Sequence, residues 1–424
     1  MNQMIKLLNG DDRISDYRIS IRKKESYELF FVKGTLETVR CTDTCDKEVT
    51  VYVTHGEFKG EAQFFVYPST TEGQLRELVD EAVAKALLIN NRSFELPGAE
   101  TGSYEVESNF SSFEPYELAA RIAGLVFSAN TVENADINSL EIFLSRHTET
   151  ICNSRGLHKS QIRYSAMVEA IPTYNGEEQS VELYEQYNFG ELREEALVAE
   201  ITEKMEQVKA RYHAAVPQEK PVCPVIFHKE ELAQLFWSIA GDLHYASIYS
   251  HSGLWSKGDA IQKEPVGDLI GITMAGEVPG CTRSAKFDAD GMSLDRREIV
   301  REGKAVAYYG SSRYGQYLGE EPTGELRCIC VNPGSASGET FRQGPYLEIL
   351  SMSGLQVDFY SDYIGGEIRL AYYHDGSSVI PVTGISVSGS LNEVLNRILL
   401  SRDTAVHNGY SGPSGALLQG MKIF

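Results

Sequence analysis

The chain has 424 residues, 42% of them hydrophobic and 23% charged, a balance that supports sizeable cores and excludes a mainly disordered or collagen-like polymer. Its 60 acidic residues against 39 basic ones give a formal net charge of −21. That charge opposes docking of the bulk surface on a phosphate backbone or an anionic membrane leaflet.

At roughly 150 residues per domain, the length predicts two or three domains. No segment reaches the ~18 apolar residues of a membrane span. Residues 1–13 lack the apolar stretch of a secretory leader. The seven cysteines, Cys41, Cys45, Cys152, Cys223, Cys281, Cys328 and Cys330, are odd in number and contain no Cys-x-x-Cys pair. The expectation is a cytoplasmic protein with reduced thiols.

In chain order, Tyr17, Ile19 and Ile21 alternate with polar neighbours, as do Val49, Val51 and Val53, and each set predicts a half-buried strand. Residues 27–32 and 64–67 read as further short strands. Leu75, Leu78, Val79, Ala82, Val83 and Ala86 then share one apolar stripe at helical spacing. Residues 69–72, Ser-Thr-Thr-Glu, fit a capping box in front of it. Pro115 is placed as the first residue of a second helix through Leu118, Ile122, Leu125 and Val126. Residues 140–144 predict a strand, residues 153–156 a turn, and residues 162–168 another strand. A long helix is expected from about Glu191, with Val198, Ile201, Met205, Val208 and Tyr212 on one face. Strands, helices, strands and helix in this order give an α+β arrangement of antiparallel strands and long helices.

Glycine content changes along the chain: residues 1–220 hold 11 and residues 221–424 hold 26. Pro217, Pro221 and Pro224 sit at the change, and so many prolines resist both helix and central strand. The predicted boundary therefore divides an N-terminal α+β domain, 1–220, from a β-rich C-terminal domain, 221–424. The second part opens with a helix carrying Leu232, Leu235, Phe236, Ile239 and Leu243 on one face. Short β-like runs follow at 305–309, 346–350 and 366–373. Asp375-Gly376 marks a hairpin into Val379, Ile380 and Val382, and residues 391–400 read as a short helix. Frequent glycine between short strands predicts a curved sheet or open barrel.

No catalytic constellation assembles from spacing alone. His228-Lys229-Glu230-Glu231 begins a helix, but a metallopeptidase helix needs two imidazoles and a water-activating carboxylate, and position 233 is Ala. Glu230 and Glu231 read more simply as first-turn acids facing the positive helix end. His244 and His251 lie seven residues apart near Asp259 without a completed ligand set. Phe287-Asp288-Ala289-Asp290-Gly291 starts like a calcium loop, but Met292 and Ile299 hold two of the ligand positions, so an Asx-stabilised turn is the better account. Residues 332–338, Asn-Pro-Gly-Ser-Ala-Ser-Gly, lack the ending of a phosphate-binding loop and read as a turn. Cys328 and Cys330 share one face if their segment is a strand.

Several segments together resemble the TldD/PmbA family, also called the modulator of DNA gyrase family. They are residues 50–53 with Gly60 and the helix behind them, residues 139–143, and Asn153-Ser154-Arg155-Gly156. The series continues through Phe287 to Gly291, residues 299–303, residues 317–319 with Thr323-Gly324, Pro333-Gly334, Ile364-Gly365-Gly366 and His374-Asp375-Gly376. The resemblance implies an α+β N-terminal domain, a β-rich C-terminal domain and dimers enclosing a groove. The family's TldD branch is a zinc metallopeptidase with a His-Glu-x-x-x-His helix and a later Cys ligand. Its PmbA, or TldE, branch lacks them. Against that pattern this chain has His228, then Lys229 for Glu and Ala233 for the second His, and no Cys near residues 410–412.

The resemblance thus implies a non-catalytic TldE-like subunit with no cofactor of its own, paired with a TldD-like, zinc-bearing HExxxH partner or with itself. Its expected ligand is a peptide or unfolded protein segment, with no nucleic acid and no membrane. Two rivals stand beside it: an independent metallopeptidase using a non-standard set such as His228, His244 or His251, and a homodimeric protein-binding modulator.

Overall fold

The structure, a computed structural model, describes residues 2–424. Its first half is built on an antiparallel sheet of four long strands: β1 (Asp16–Val32), β2 (Thr35–His55), β5 (Ala135–Asn153) and β6 (His158–Asn175). Shorter strands complete it. They are β3 (Phe58–Phe65), β4 (Thr101–Glu105), β7 (Ser180–Glu182) and β8 (Glu185–Phe189), in the order β3-β2-β1-β5-β6-β4, with β7 and β8 on β6. Only β4 runs parallel to its neighbour.

The two short runs expected around Tyr17 and Tyr27 are one strand. The polar stretch between them stays extended because β2 and β5 pair with it residue by residue on both sides. Its charges are met across the ladder: Arg22 by Glu48 at 2.7 Å, and Glu25 by Arg146 at 2.8 Å.

Four helices cover this sheet. An unexpected one, α1 (Asn2–Asn9), buries Met4 and Leu8, one helical turn apart, beside α2 (Glu72–Ala86). Leu75, Val79, Ala82, Val83 and Ala86 of α2 bury as the stripe predicts. The cap is displaced from the expected Ser69–Glu72 pair: Thr71 is the N-cap, and its N–H donates to Gln74 Oε1 at 2.9 Å while Gln74 N–H returns to Thr71 Oγ1. Pro115 opens α3 (Pro115–Ser128) as read from the sequence. The fourth helix, α4 (Glu194–His213), starts three residues later than expected, after Arg193 in extended conformation. Leu118, Ile122 and Val126 pack with Ile201 and Met205 against Leu140 and Ile142 of β5.

Residues 214–224 lead, without helix or regular strand, to β9 (Val225–His228), which runs directly into α5 (Lys229–Asp242). The second half is β-rich, as expected. It holds a six-stranded and a nine-stranded sheet with α5 packed against strands of both, and the fold includes a curled half-barrel sheet. Leu232, Leu235, Phe236, Ile239 and Leu243 are wholly buried there, so the predicted apolar face becomes the core of this half. The strand expected at 305–309 shortens to Lys304–Ala305, and the helix expected to reach residue 400 stops at Arg397. Among the described residues no helix is long and apolar enough to cross a membrane.

The Asp288 loop locks the two halves together. Asp288 Oδ1 accepts the N–H groups of Asp290 and Met292 at 2.9 and 3.0 Å, the expected Asx turn. The turn presents Gly291 O and Ser293 Oγ to Lys159 of β6, whose ammonium is fully buried and also pairs with Glu100 at 2.7 Å. Gln161 clasps the same loop, its Oε1 accepting Lys286 N–H at 2.8 Å.

Candidate functional site

Because β9 enters α5 without a loop, His228 becomes the helix N-cap, with three acid or base side chains directly behind it. The neighbouring strand Tyr346–Met352 pairs parallel to β9, Ile226 opposite Glu348, and sets the Glu348 carboxylate against the imidazole. His228 Nε2 lies 3.0 Å from Glu348 Oε1, and Arg342 grips the same carboxylate, with Nε 3.1 Å from Oε2. Burial alone would raise the Glu348 pKa, but the bonds from His228 and Arg342 prevail and hold it down at about 2. Burial likewise opposes the imidazolium of His228, yet Glu348 outweighs it and the pKa lies above its ordinary value.

The next residues face charges of their own. Lys229 forms an ion pair with Glu200 of α4. Glu230 faces His407 at 3.8 Å. Glu231 accepts the His228 N–H at 3.3 Å, and its pKa is pushed up to about 7 by burial and by Glu230 beside it.

This helix end forms one wall of an open cleft of about 520 Å³ between the two halves of the chain. The other walls come from β8, α4 and the strand Thr404–His407. Lys204 and Glu185 pair across the N-terminal side at 3.2 Å.

The remaining sequence candidates fall elsewhere. Ala233 is buried in the core of the second half. Residues 410–412 lie on the strand Tyr410–Pro413, which also packs on α5. There Tyr410 is fully buried, stacked on Phe236, with its hydroxyl donating to Pro413 O at 2.9 Å. His244 caps the helix Tyr245–Tyr249, its Nδ1 accepting Ala246 N–H at 3.2 Å and its Nε2 lying 2.7 Å from Glu325. His251 is exposed in a left-handed turn, φ 57°. Asp259 receives Ser256 N–H in a local turn. In the 332–338 loop, Gly334 N–H donates to Ser401 O at 2.9 Å, so that amide is already engaged. Cys328 is on a strand, as expected, but its sulfur faces Cys281 at 3.5 Å, a neighbour 47 residues away that spacing could not reveal.

A zinc ion implied by the family pattern does not fit these residues. Its positions carry a single imidazole, an ammonium, a methyl group and no thiol, too few donors for a site that needs three protein ligands. Among the described residues no three His, Cys, Asp or Glu side chains group so as to hold a metal ion, including any set around His228, His244 and His251.

Comparison with known proteins places this architecture. Residues 220–424 match the PmbA/TldA metallopeptidase C-terminal domain. The chain is 27% identical over 302 residues to the metalloprotease PmbA homolog of Haemophilus influenzae, covering 68% of this chain and 65% of that one. It is 25% identical over 182 residues to metalloprotease PmbA of Escherichia coli O157:H7, covering 42% of this chain and 40% of that one. The match thus spans less than two thirds of the length of these relatives. In fold it is similar to a modulator of a DNA gyrase from Thermotoga maritima, with TM-score 0.78 and 16% identity over 100% of this chain and 99% of that one. It is similar also to TldE from Thermococcus kodakarensis, with TM-score 0.77 and 14% identity over 99% of each. Residues 220–424 thus belong to the PmbA/TldA metallopeptidase C-terminal domain family, and the fold of the whole chain is that of these solved neighbours.

Proposed function

We propose that this chain is the non-catalytic, TldE-like subunit of a heteromeric zinc peptidase. In this reading it closes a peptide-binding groove and holds an extended segment beside a zinc ion carried by a TldD-like partner. The observation that carries the reading is Lys229. Its ammonium, paired with Glu200, stands where the metallopeptidase pattern has its water-activating Glu. A fixed positive charge there opposes a divalent cation and cannot take a proton from water at neutral pH. Ala233 in place of the second imidazole and the lack of any Cys after Cys330 remove two further donors. Extended peptide added along a sheet edge is the binding mode such a β-rich half supports.

The two relatives from Haemophilus influenzae and Escherichia coli are metalloproteases by name, which motivates the second reading, cleavage by this chain itself. Cleavage of an unfolded polypeptide is to be followed with the purified chain alone and after addition of an HExxxH-bearing sibling. The proposed role predicts hydrolysis only in the mixture, abolished by changing the sibling's motif. Full activity from the isolated chain refutes it.

A further inference from the structure

The cleft carries more negative than positive charge, and two of its carboxylates have no fixed cation. Five glutamates line it against Arg193, Lys204 and Lys229. Those three cations are taken by Glu191, Glu185 and Glu200. Glu203 accepts the Gln207 amide at 3.0 Å. Glu230 lies 3.8 Å from His407, and although burial opposes its charge, Lys229, His407 and Lys204 outweigh burial and lower its pKa. Among the described residues neither has a Lys or Arg partner within ion-pair distance.

A second observation is independent of that count. Gln207 and Tyr187 line the same cleft and are 3% and 9% exposed. Among the described residues the Gln207 Oε1 atom and the Tyr187 hydroxyl have no hydrogen-bond partner. Buried polar atoms are ordinarily satisfied, and an orphan at a cleft wall points to a group that completes it. Burial first, and then Glu185, Glu200, Glu203 and Glu230, raises the pKa of the Tyr187 hydroxyl. A missing N–H donor for Gln207 Oε1 beside two carboxylates without a Lys or Arg at ion-pair distance points to a ligand that is both cationic and N–H-rich. Leu192 and Leu197 on the same lining supply apolar surface for a methylene stem.

We propose that this cleft is a subsite for a lysine or arginine side chain of the held peptide, with Glu203 and Glu230 meeting the charge and Gln207 Oε1 accepting an N–H. This rests on the peptide-holding role above. The test is calorimetric titration of the full chain with short acetylated, amidated alanine–serine peptides carrying one lysine, one arginine or one norleucine. A further peptide has a free N-terminus and no basic side chain.

The lysine and arginine peptides are expected to bind roughly tenfold tighter than the norleucine peptide at low salt. In the Glu203→Gln/Glu230→Gln variant that advantage disappears while norleucine binding and the circular dichroism spectrum stay unchanged. Equal binding of lysine and norleucine peptides, or an advantage that persists in the variant, overturns the subsite and leaves the peptide-holding role standing. An advantage confined to the free N-terminus overturns the side-chain assignment. Binding of no peptide at all removes both.

Discussion

At the N-terminus of α5 each ionisable group takes its charge state from its neighbours. The Glu231 pKa, pushed up to about 7 by burial and by Glu230, means that the folded chain holds this proton more tightly than the unfolded one. Between the ordinary carboxylate range and about pH 7 the native state therefore binds more protons, and this group's contribution to stability falls as pH rises. Glu231→Gln keeps an oxygen for the His228 N–H and removes the titration. At pH 8 the variant is expected to resist urea better than the parent by roughly 2 kcal/mol, and near pH 4 to match it. A difference that does not change with pH contradicts this assignment. Glu348 has the opposite sign: held at about 2, it contributes above the ordinary carboxylate range and loses that contribution as pH falls toward 2. None of these states was legible beforehand, because Glu348 lies 120 residues from His228 and meets it only through the parallel pairing of their strands.

At the scale of elements, the apolar stripes of α2 and α5 were readable from helical spacing, with Leu78 of α2 only partly buried where the stripe placed it with the rest. Strand lengths were not, because pairing on both sides carries β1 through charged residues that break the alternation. The capping box was displaced by two residues because several adjacent Ser and Thr side chains compete for one cap and only the fold selects Thr71. Gly60, one of the residues behind the family resemblance, has a physical role here. A Cβ on it would sit 1.8 Å from Ala86 O and 2.7 Å from Ile89 O, where β3 passes the end of α2. Gly60→Ala must therefore push the strand off the helix. A loss of roughly 2–3 kcal/mol in urea unfolding is expected, and a variant as stable as the parent shows that the contact is slack.

At the scale of the whole molecule, the two halves meet through the Asp288 loop and the cleft beside His228. Lys159 is the centre of the first contact, a buried ammonium among Gly291 O, Ser293 Oγ and Glu100. Lys159→Met leaves those acceptors unpaired and is expected to lower stability by roughly 3 kcal/mol. It should also open residues 287–293 to limited proteolysis, and unchanged protection would contradict the clamp. The sequence suggested the Asx turn but gave no sign that it docks on β6. The cleft was equally hidden: Tyr187, Glu203 and Gln207 belong to β8 and α4, and only the packing of the halves brings them opposite Glu230.

Whether this chain binds its own catalytic metal is tested directly by the zinc-to-protein ratio of the purified chain, measured by mass spectrometry after dialysis against metal-free buffer. The donor set around His228 predicts a ratio far below one zinc per chain, unaltered by His228→Ala; one tightly held zinc per chain that is lost in that variant would contradict it.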